Sequence, residues 1–176
     1  SEIAVPTAAC GIIIGVVIQS GLATKVSKLI ANVGSTYLIV ALLITMLGCM
    51  LLGMALPTVA AYLVANVLFV PTLIGLDIQP LQANMVVFYF GIMAQITPPV
   101  CVASFTAAGI AGADSMKTGL TGFAYALVAF LVPFIFIYDP SILLIGTPLE
   151  IVKGTLILFL GTYLLASGMA GFFLVP

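Results

Sequence analysis

Two threonine–proline clusters interrupt otherwise uncharged hydrophobic stretches of the chain. The first is Gly53-Met-Ala-Leu-Pro-Thr58, and the second is Ile96-Thr-Pro-Pro-Val100. Proline lacks a backbone N–H and clashes with the carbonyl of the preceding turn, so each cluster favours a break in a helix. Backbone groups freed in this way are costly in hydrocarbon unless protein or a water-filled cavity pairs them. Two such interruptions in neighbouring segments are typical of a transporter binding site built from discontinuous helices.

The interruptions predict ligand groups for both an anion and a cation. Half-helices that begin after Pro57 and after Pro98-Pro99 would offer N–H groups to a carboxylate. The preceding carbonyls and the threonine hydroxyls would offer oxygen ligands to Na⁺, a hard cation. The predicted substrate site comprises Pro57, Thr58, Thr97, Pro98 and Pro99, and the predicted Na⁺ site comprises Gly53, Thr58, Gln95 and Thr97.

Each of these features also has a purely structural interpretation. A proline in a membrane helix is commonly a kink. Gln95, like Asn66 and Asn84, is typical of a hydrogen bond between helices. Tyr62 fits a packing residue whose hydroxyl finds a partner, and Asp114 and Asp139 fit helix caps or turns.

Composition places the chain in the membrane. Hydrophobic residues make up 64% and charged residues 5%, whereas soluble domains carry roughly a quarter charged residues. A net charge of -1 leaves no basic surface for nucleic acid. The chain has no histidine, its three cysteines lie in apolar runs, and no nucleophile–base pair falls within a span. We therefore expect neither an enzyme, a zinc site nor an organic cofactor.

The nine charged residues mark the membrane surfaces and divide the chain into apolar runs. A spanning helix needs about 20 apolar residues. The run 29–76 has 48 residues and would measure about 72 Å as one helix, so it must fold back. We predict a single all-α integral membrane region, 1–176, with spans 3–24, 118–138 and 154–176, a re-entrant helical hairpin 36–76 and a broken span 84–112.

The hairpin has a competing interpretation. Its tip offers only Thr58 and backbone groups, which favours a tip buried in protein over a turn at the membrane surface. Its arms, 36–53 and 58–76, are nevertheless long enough for two full spans joined by a tight turn. Since the chain begins at Ser1 without an initiator methionine, we also expect it to be a fragment or a processed product.

The ordered set of motifs resembles the C-terminal half of the large permease subunits of TRAP transporters, most closely the fused permeases of the TAXI branch. The motifs are Gly53-Met-Ala-Leu-Pro-Thr-Val-Ala-Ala-Tyr62, Phe88-Tyr-Phe90, Ile96-Thr-Pro-Pro-Val100 and Ala107-Ala-Gly-Ile-Ala-Gly-Ala-Asp114. The likeness is dense over residues 48–140. Two positions depart from the expected pattern: Ala55 stands where many relatives have glycine, and Val59 replaces a threonine that would be a ligand.

The resemblance implies a Na⁺-driven importer of organic acids in the inner membrane of a bacterium or archaeon. It implies an elevator transporter of two inverted repeats, of which this chain supplies one, with tips at Gly53–Thr58 and Thr97–Pro99. The implied partners are the lipid bilayer, an extracytoplasmic substrate-binding protein, the N-terminal half, and a small membrane subunit or its fused equivalent. Other Na⁺-coupled elevator carriers for carboxylates and a non-transporting scaffold subunit are the competing functions.

Membrane orientation stays open at this stage. The predicted spans place Lys25, Lys28 and Lys153 on one side and Lys117 on the other, so the positive-inside rule makes the three-lysine side cytoplasmic. The resemblance implies the opposite orientation, with Lys117 in the cytoplasm.

Overall fold

The computed structural model describes residues 37–170 without a gap, residues 19–34, and residues 8, 11–13 and 15–16. Residues 1–95 and residues 96–176 form two compact units. Much of the predicted span 3–24 lies outside the described residues, as do residues 171–176 at the end of the predicted span 154–176.

Within residues 19–34 and 37–95, which the structure describes, the first unit has four α-helices, and the second and third of them each contact the other three. They are α1 (Leu22–Gly34), α2 (Leu38–Ala55), α3 (Thr58–Ile74) and α4 (Pro80–Met93), and a 3₁₀ turn, Ala94–Ile96, follows α4. Pro80 starts α4, as expected, and the Gln79 N–H donates to Gln82 Oε1 at 3.3 Å. The lysines at 25 and 28 lie within α1, which exposes both of them and buries Ile30.

Small residues let the helices of the first unit approach closely. A Cβ on Gly34 would lie 2.6 Å from Leu76 Cδ1, and a Cβ on Gly48 would overlap the ring of Phe69. The contact of Gly48 with Phe69 joins α2 to α3 along their lengths. Helices that pack this tightly gain van der Waals contact, which is the main attraction available between helices in lipid.

A polar cluster joins α3 to α4. The hydroxyl of Tyr62 donates to Asn84 Oδ1 at 3.1 Å, and Asn66 Nδ2 donates to the same oxygen. Asn84 Nδ2 in turn donates to the Pro80 carbonyl at 2.7 Å. The rings of Tyr62 and Phe88 meet edge to face with centroids 5.4 Å apart. The interpretation of these polar side chains as bonds between helices is confirmed.

The second unit contains α5 (Val102–Ala111), α6 (Ser115–Ala126), α7 (Val132–Tyr138) and α8 (Pro148–Ala170), with 3₁₀ helices at Leu127–Leu131 and Pro140–Leu143. Asp114 caps α6 by accepting from the Lys117 N–H at 2.7 Å, and Asp139 accepts from the Ser141 N–H at 3.0 Å. Both aspartates therefore act as caps, as expected. The 3₁₀ stretch before α7 lies where Pro133 removes an N–H and crowds the turn before it.

Two helical segments in the described part of the chain are long and apolar enough to cross a membrane, Ser115–Tyr138 with 24 residues and Pro148–Met169 with 22. They measure about 36 and 33 Å, against a hydrocarbon core of about 30 Å. The shorter apolar helices include α2, with 18 residues, and α3, with 17, or about 26 Å each. These lengths fit either a re-entrant hairpin or two full spans, so the re-entrant hairpin stays a prediction.

We expect Asn84→Leu to destabilise the first unit. The substitution leaves the Tyr62 hydroxyl and the Asn66 amide without the oxygen to which both donate, at a cost of about 1–2 kcal/mol in the free energy of unfolding. Denaturation of the protein in mixed micelles, followed by circular dichroism, measures this change.

Thr106→Val is the matched control, because the Thr106 hydroxyl bonds only within its own helix, to the Val102 carbonyl at 2.8 Å. Its effect should stay within about 0.5 kcal/mol. Equal losses in the two variants would show that the cluster contributes nothing specific.

Candidate functional site

The first break in the helical path consists of Leu56 and Pro57, which separate α2 from α3. Both residues have extended backbone, with ψ values of 152° and 150°. The Leu56 N–H still donates to the Leu52 carbonyl at 3.1 Å. Beyond that bond, the last carbonyls of α2 have no N–H ahead of them in the helix and must find partners elsewhere.

The carbonyl of Gly53 is paired by a side chain. Its partner in a continuous helix would be the N–H of residue 57, which is proline and has none. Gln95 Nε2 takes this place and donates to Gly53 O at 3.0 Å. Two of the four residues predicted to bind Na⁺ are thus in direct contact within the first unit.

Gly53 also sets the distance between α2 and the end of α4. A Cβ on Gly53 would lie 2.5 Å from Ala94 Cβ and 2.7 Å from the Gly91 carbonyl oxygen. Since the second of these atoms belongs to the backbone, it cannot rotate away. The missing side chain therefore allows the close approach at which Gln95 reaches the Gly53 carbonyl.

The start of α3 presents unbonded N–H groups. The first intrahelical bond runs from the Ala61 N–H to the Pro57 carbonyl at 2.9 Å, so the N–H groups of residues 58–60 have no acceptor within the helix. Pro57 and Thr58 are exposed, and Val59 is 71% exposed. The positive end of the α3 dipole is therefore accessible beside the carbonyl end of α2.

The second break, Thr97–Cys101, separates the 3₁₀ turn after α4 from α5. The helix resumes at Val102, two residues later than a start directly after Pro98-Pro99 would place it. The Cys101 N–H donates to the Thr97 carbonyl at 3.2 Å, closing one turn across the prolines. Thr97 is 5% exposed, Pro98 is half-buried and Pro99 is exposed.

Cys101 anchors the second break within its unit. It is fully buried and forms the N-terminal boundary of α5, where its carbonyl accepts from the Phe105 N–H at 3.0 Å. A Cβ on Gly119 of α6 would lie 2.6 Å from the Cys101 sulfur. The glycine thus leaves room for the cysteine, and this contact fixes the start of α5 against α6.

The predicted site residues divide between the two units. Gly53, Pro57, Thr58 and Gln95 belong to the first, and Thr97, Pro98 and Pro99 belong to the second. Among the described residues, no group of three or more acidic, cysteine or histidine side chains could hold a metal ion. The oxygen atoms of the predicted site residues at the breaks belong to carbonyls, threonine hydroxyls and the Gln95 amide.

Sequence reasoning missed the small residues that support the site. The Gly91 carbonyl and the Ala94 methyl group lie against Gly53, and the missing side chain of Gly119 leaves room for the Cys101 sulfur. The spacing of Gly91 and Ala94, one helical turn apart, was a usable signal for close helix contact. Gly119 had no comparable signal, because its partner lies 18 residues away in the sequence.

We expect Gly53→Ala to displace the end of α2 from α4 and to break the Gln95–Gly53 hydrogen bond. The added methyl group meets backbone as well as side chain, so the free energy of unfolding should fall by about 1–3 kcal/mol. Chemical denaturation in mixed micelles measures the loss.

Gly91→Ala provides the control, since a Cβ at Gly91 meets no atom within 4 Å. Alanine has the higher helix propensity, so this variant should be as stable as the wild type or more so. A Gly53→Ala protein as stable as Gly91→Ala would contradict the close approach.

One known protein family matches most of the chain. Residues 1–151 match the family described as "Tripartite ATP-independent periplasmic transporter, DctM component". No curated protein and no solved structure matches the chain. The chain belongs to the DctM family, the large permease component of TRAP transporters.

Proposed function

We propose that the chain is part of a Na⁺-coupled, binding-protein-dependent secondary transporter that imports organic acids such as dicarboxylates. Membership of the DctM family makes it a component of a TRAP-type transporter. The ion, the substrate class and the dependence on a binding protein are the proposal. Its main support is the first break, where a helix ends and another begins within two residues.

A break of this kind can bind charges of both signs without a charged side chain. The carbonyl end of α2 carries partial negative charge, and the N-terminal end of α3 carries partial positive charge. Thr58 stands at the junction and is exposed, with a hydroxyl that can accept or donate. An organic carboxylate and Na⁺ could therefore bind side by side, although the chain contains no arginine.

We assign the carboxylate to Pro57, Thr58, Thr97, Pro98 and Pro99, and Na⁺ to Gly53, Thr58, Gln95 and Thr97. The Gly53 carbonyl has two lone pairs, of which the Gln95 amide uses one. The oxygen of the same amide is a further ligand for a hard cation. The second break is proposed to contribute the Thr97 carbonyl and hydroxyl together with the start of α5.

The proposed assembly follows from the same assignment. One repeat with two tips is completed by the N-terminal half, as in an elevator transporter, with α2 and α3 forming a re-entrant hairpin. An extracytoplasmic binding protein delivers the substrate, and a small membrane subunit or its fused equivalent completes the complex. We place the complex in the inner membrane of a bacterium or archaeon.

The test is Na⁺-dependent uptake of labelled dicarboxylates into proteoliposomes that contain the complete transporter and its binding protein. We expect Thr97→Val to raise the Na⁺ concentration for half-maximal uptake by about 10-fold or more, since it removes one ligand of a charged species. Thr97→Ser keeps the hydroxyl and should restore most of the affinity. Thr106→Val, which alters a hydroxyl bonded within α5, is the control for folding.

Two results would contradict the proposal. Uptake that does not need Na⁺ would show that Na⁺ is not the coupling ion. Uptake equally strong in Thr97→Val and the wild type would reduce the second break to a structural kink.

Gln95→Met tests the first break separately. Methionine has nearly the same length but donates no hydrogen bond, so the Gly53 carbonyl would lose its partner. We expect weaker Na⁺ dependence and a loss of about 1–3 kcal/mol in the free energy of unfolding. If Gln95→Met changed neither the Na⁺ dependence of uptake nor the free energy of unfolding, Gln95 would not belong to the site.

A further inference from the structure

A cavity of about 200 Å³ lies in the second unit, between the helical segment 128–142 and α8. Its walls are almost entirely aliphatic. Thr162 also lines it, but the Thr162 hydroxyl donates to the Leu158 carbonyl of its own helix at 2.8 Å and so adds no free donor. The principal apolar residues of the wall are Val128, Leu131, Ile135, Ile157, Leu158 and Leu165.

The cavity is polar at one end only. That end is formed by Asp139 and Gly154, and the other by Val128 and Leu165. Eleven residues separate the two ends along each helix, or about 16 Å, which is roughly half the thickness of the hydrocarbon core. Both helices are candidate membrane spans, with few residues buried inside the protein. The groove therefore has the length of one lipid leaflet.

Two oxygen atoms converge on Gly154 at the polar end. A Cβ at this position would overlap Ser141 Oγ and would lie 3.2 Å from Asp139 Oδ2. Ser141 is 6% exposed, and its hydroxyl oxygen is buried without a hydrogen-bond partner among the described residues. Asp139 uses its other oxygen, Oδ1, to accept from the Ser141 N–H at 3.0 Å. A carboxylate oxygen and a buried hydroxyl oxygen thus remain beside the backbone of Gly154.

These groups select a cationic hydrogen-bond donor. Because the Ser141 hydroxyl is enclosed by protein, the Asp139 carboxylate is the group that a ligand can reach, and a carboxylate at a membrane surface attracts a cation. The exposed Lys153 precedes Gly154 in α8 and provides a positive charge at the same level of the membrane. A carboxylate at the polar end of the cavity and a lysine next to it in the sequence of α8 match a zwitterionic head group with an acyl chain in the cavity.

We propose that this groove binds a phospholipid whose head group carries a primary ammonium, of the phosphatidylethanolamine class. The ammonium donates to Asp139 Oδ2, the phosphate pairs with Lys153, and one acyl chain lies between the two helices. A quaternary ammonium has no N–H to donate, and an anionic head group without an ammonium would be repelled by Asp139. The proposal does not depend on the transported substrate or the coupling ion.

Native mass spectrometry of the full chain in detergent tests the proposal. The probes are dioleoyl phosphatidylethanolamine, its mono- and dimethyl derivatives, phosphatidylcholine and phosphatidylglycerol. We expect phosphatidylethanolamine to bind about tenfold more tightly than phosphatidylcholine, the effect of one charge-assisted hydrogen bond. The affinities of the two methylated lipids should lie between these values. The monomethyl lipid keeps more N–H groups and should bind more tightly than the dimethyl lipid.

Three variants separate the head group from the acyl chain. Asp139→Asn keeps an oxygen to accept from the Ser141 N–H but removes the charge, so the preference for phosphatidylethanolamine should disappear. Gly161→Leu fills the groove at a position where a Cβ meets no atom within 4 Å, and it should weaken binding of every phospholipid. Gly168→Leu is equally unobstructed at its Cβ but lies outside the groove, and it should bind lipid as the wild type does.

Equal binding of phosphatidylethanolamine and phosphatidylcholine by the wild type would overturn the proposal, and so would a preference for phosphatidylglycerol. If Gly161→Leu left lipid binding unchanged but prevented assembly with the other transporter subunits, the groove would be a protein interface and the proposal would fail. Because the comparison of the methylated lipids uses the wild-type chain, it remains decisive even if Asp139→Asn does not fold.

Discussion

An unpaired backbone carbonyl is expensive in hydrocarbon, and this cost governs the structure around the first break. Pro57 ends the helical ladder of α2 and leaves the Gly53 carbonyl without its usual donor. The Gln95 amide replaces that donor at 3.0 Å. The break is therefore tied to the 3₁₀ turn after α4 by a specific bond, and the absence of a side chain at Gly53 makes the bond possible.

The two units meet this cost in different ways. In the first, a side chain from the 3₁₀ turn after α4 pairs the end of α2, and the Tyr62–Asn66–Asn84 cluster joins α3 to α4. In the second, the backbone closes a turn across the prolines, and Cys101 packs against Gly119. A side-chain amide thus pairs the carbonyl end at the first break, whereas a backbone hydrogen bond and packing hold the second.

Local chemistry made part of the fold predictable. Proline fixes its own φ and lacks a donor, so the start of α4 at Pro80 and the breaks near Pro57 and Pro98 followed from the sequence. The extent of α1 was not predicted, because the charges of Lys25 and Lys28 indicated a membrane surface but did not indicate that the chain is helical there. The contact of Gly53 with Gly91 depends on a distant segment, which no local pattern specifies.

The replacement of a backbone donor by a side-chain amide has a consequence for ion binding. A backbone N–H cannot leave its carbonyl without unwinding the helix, but an amide can rotate about its side-chain torsions. In the proposed Na⁺ site, the ion would bind the lone pair of the Gly53 carbonyl that Gln95 leaves free, and the amide could turn its own oxygen toward the ion. Ion binding and release would change the connection between α2 and α4 without any loss of helix, which is a property that a transporter needs at a site exposed alternately to two sides of a membrane.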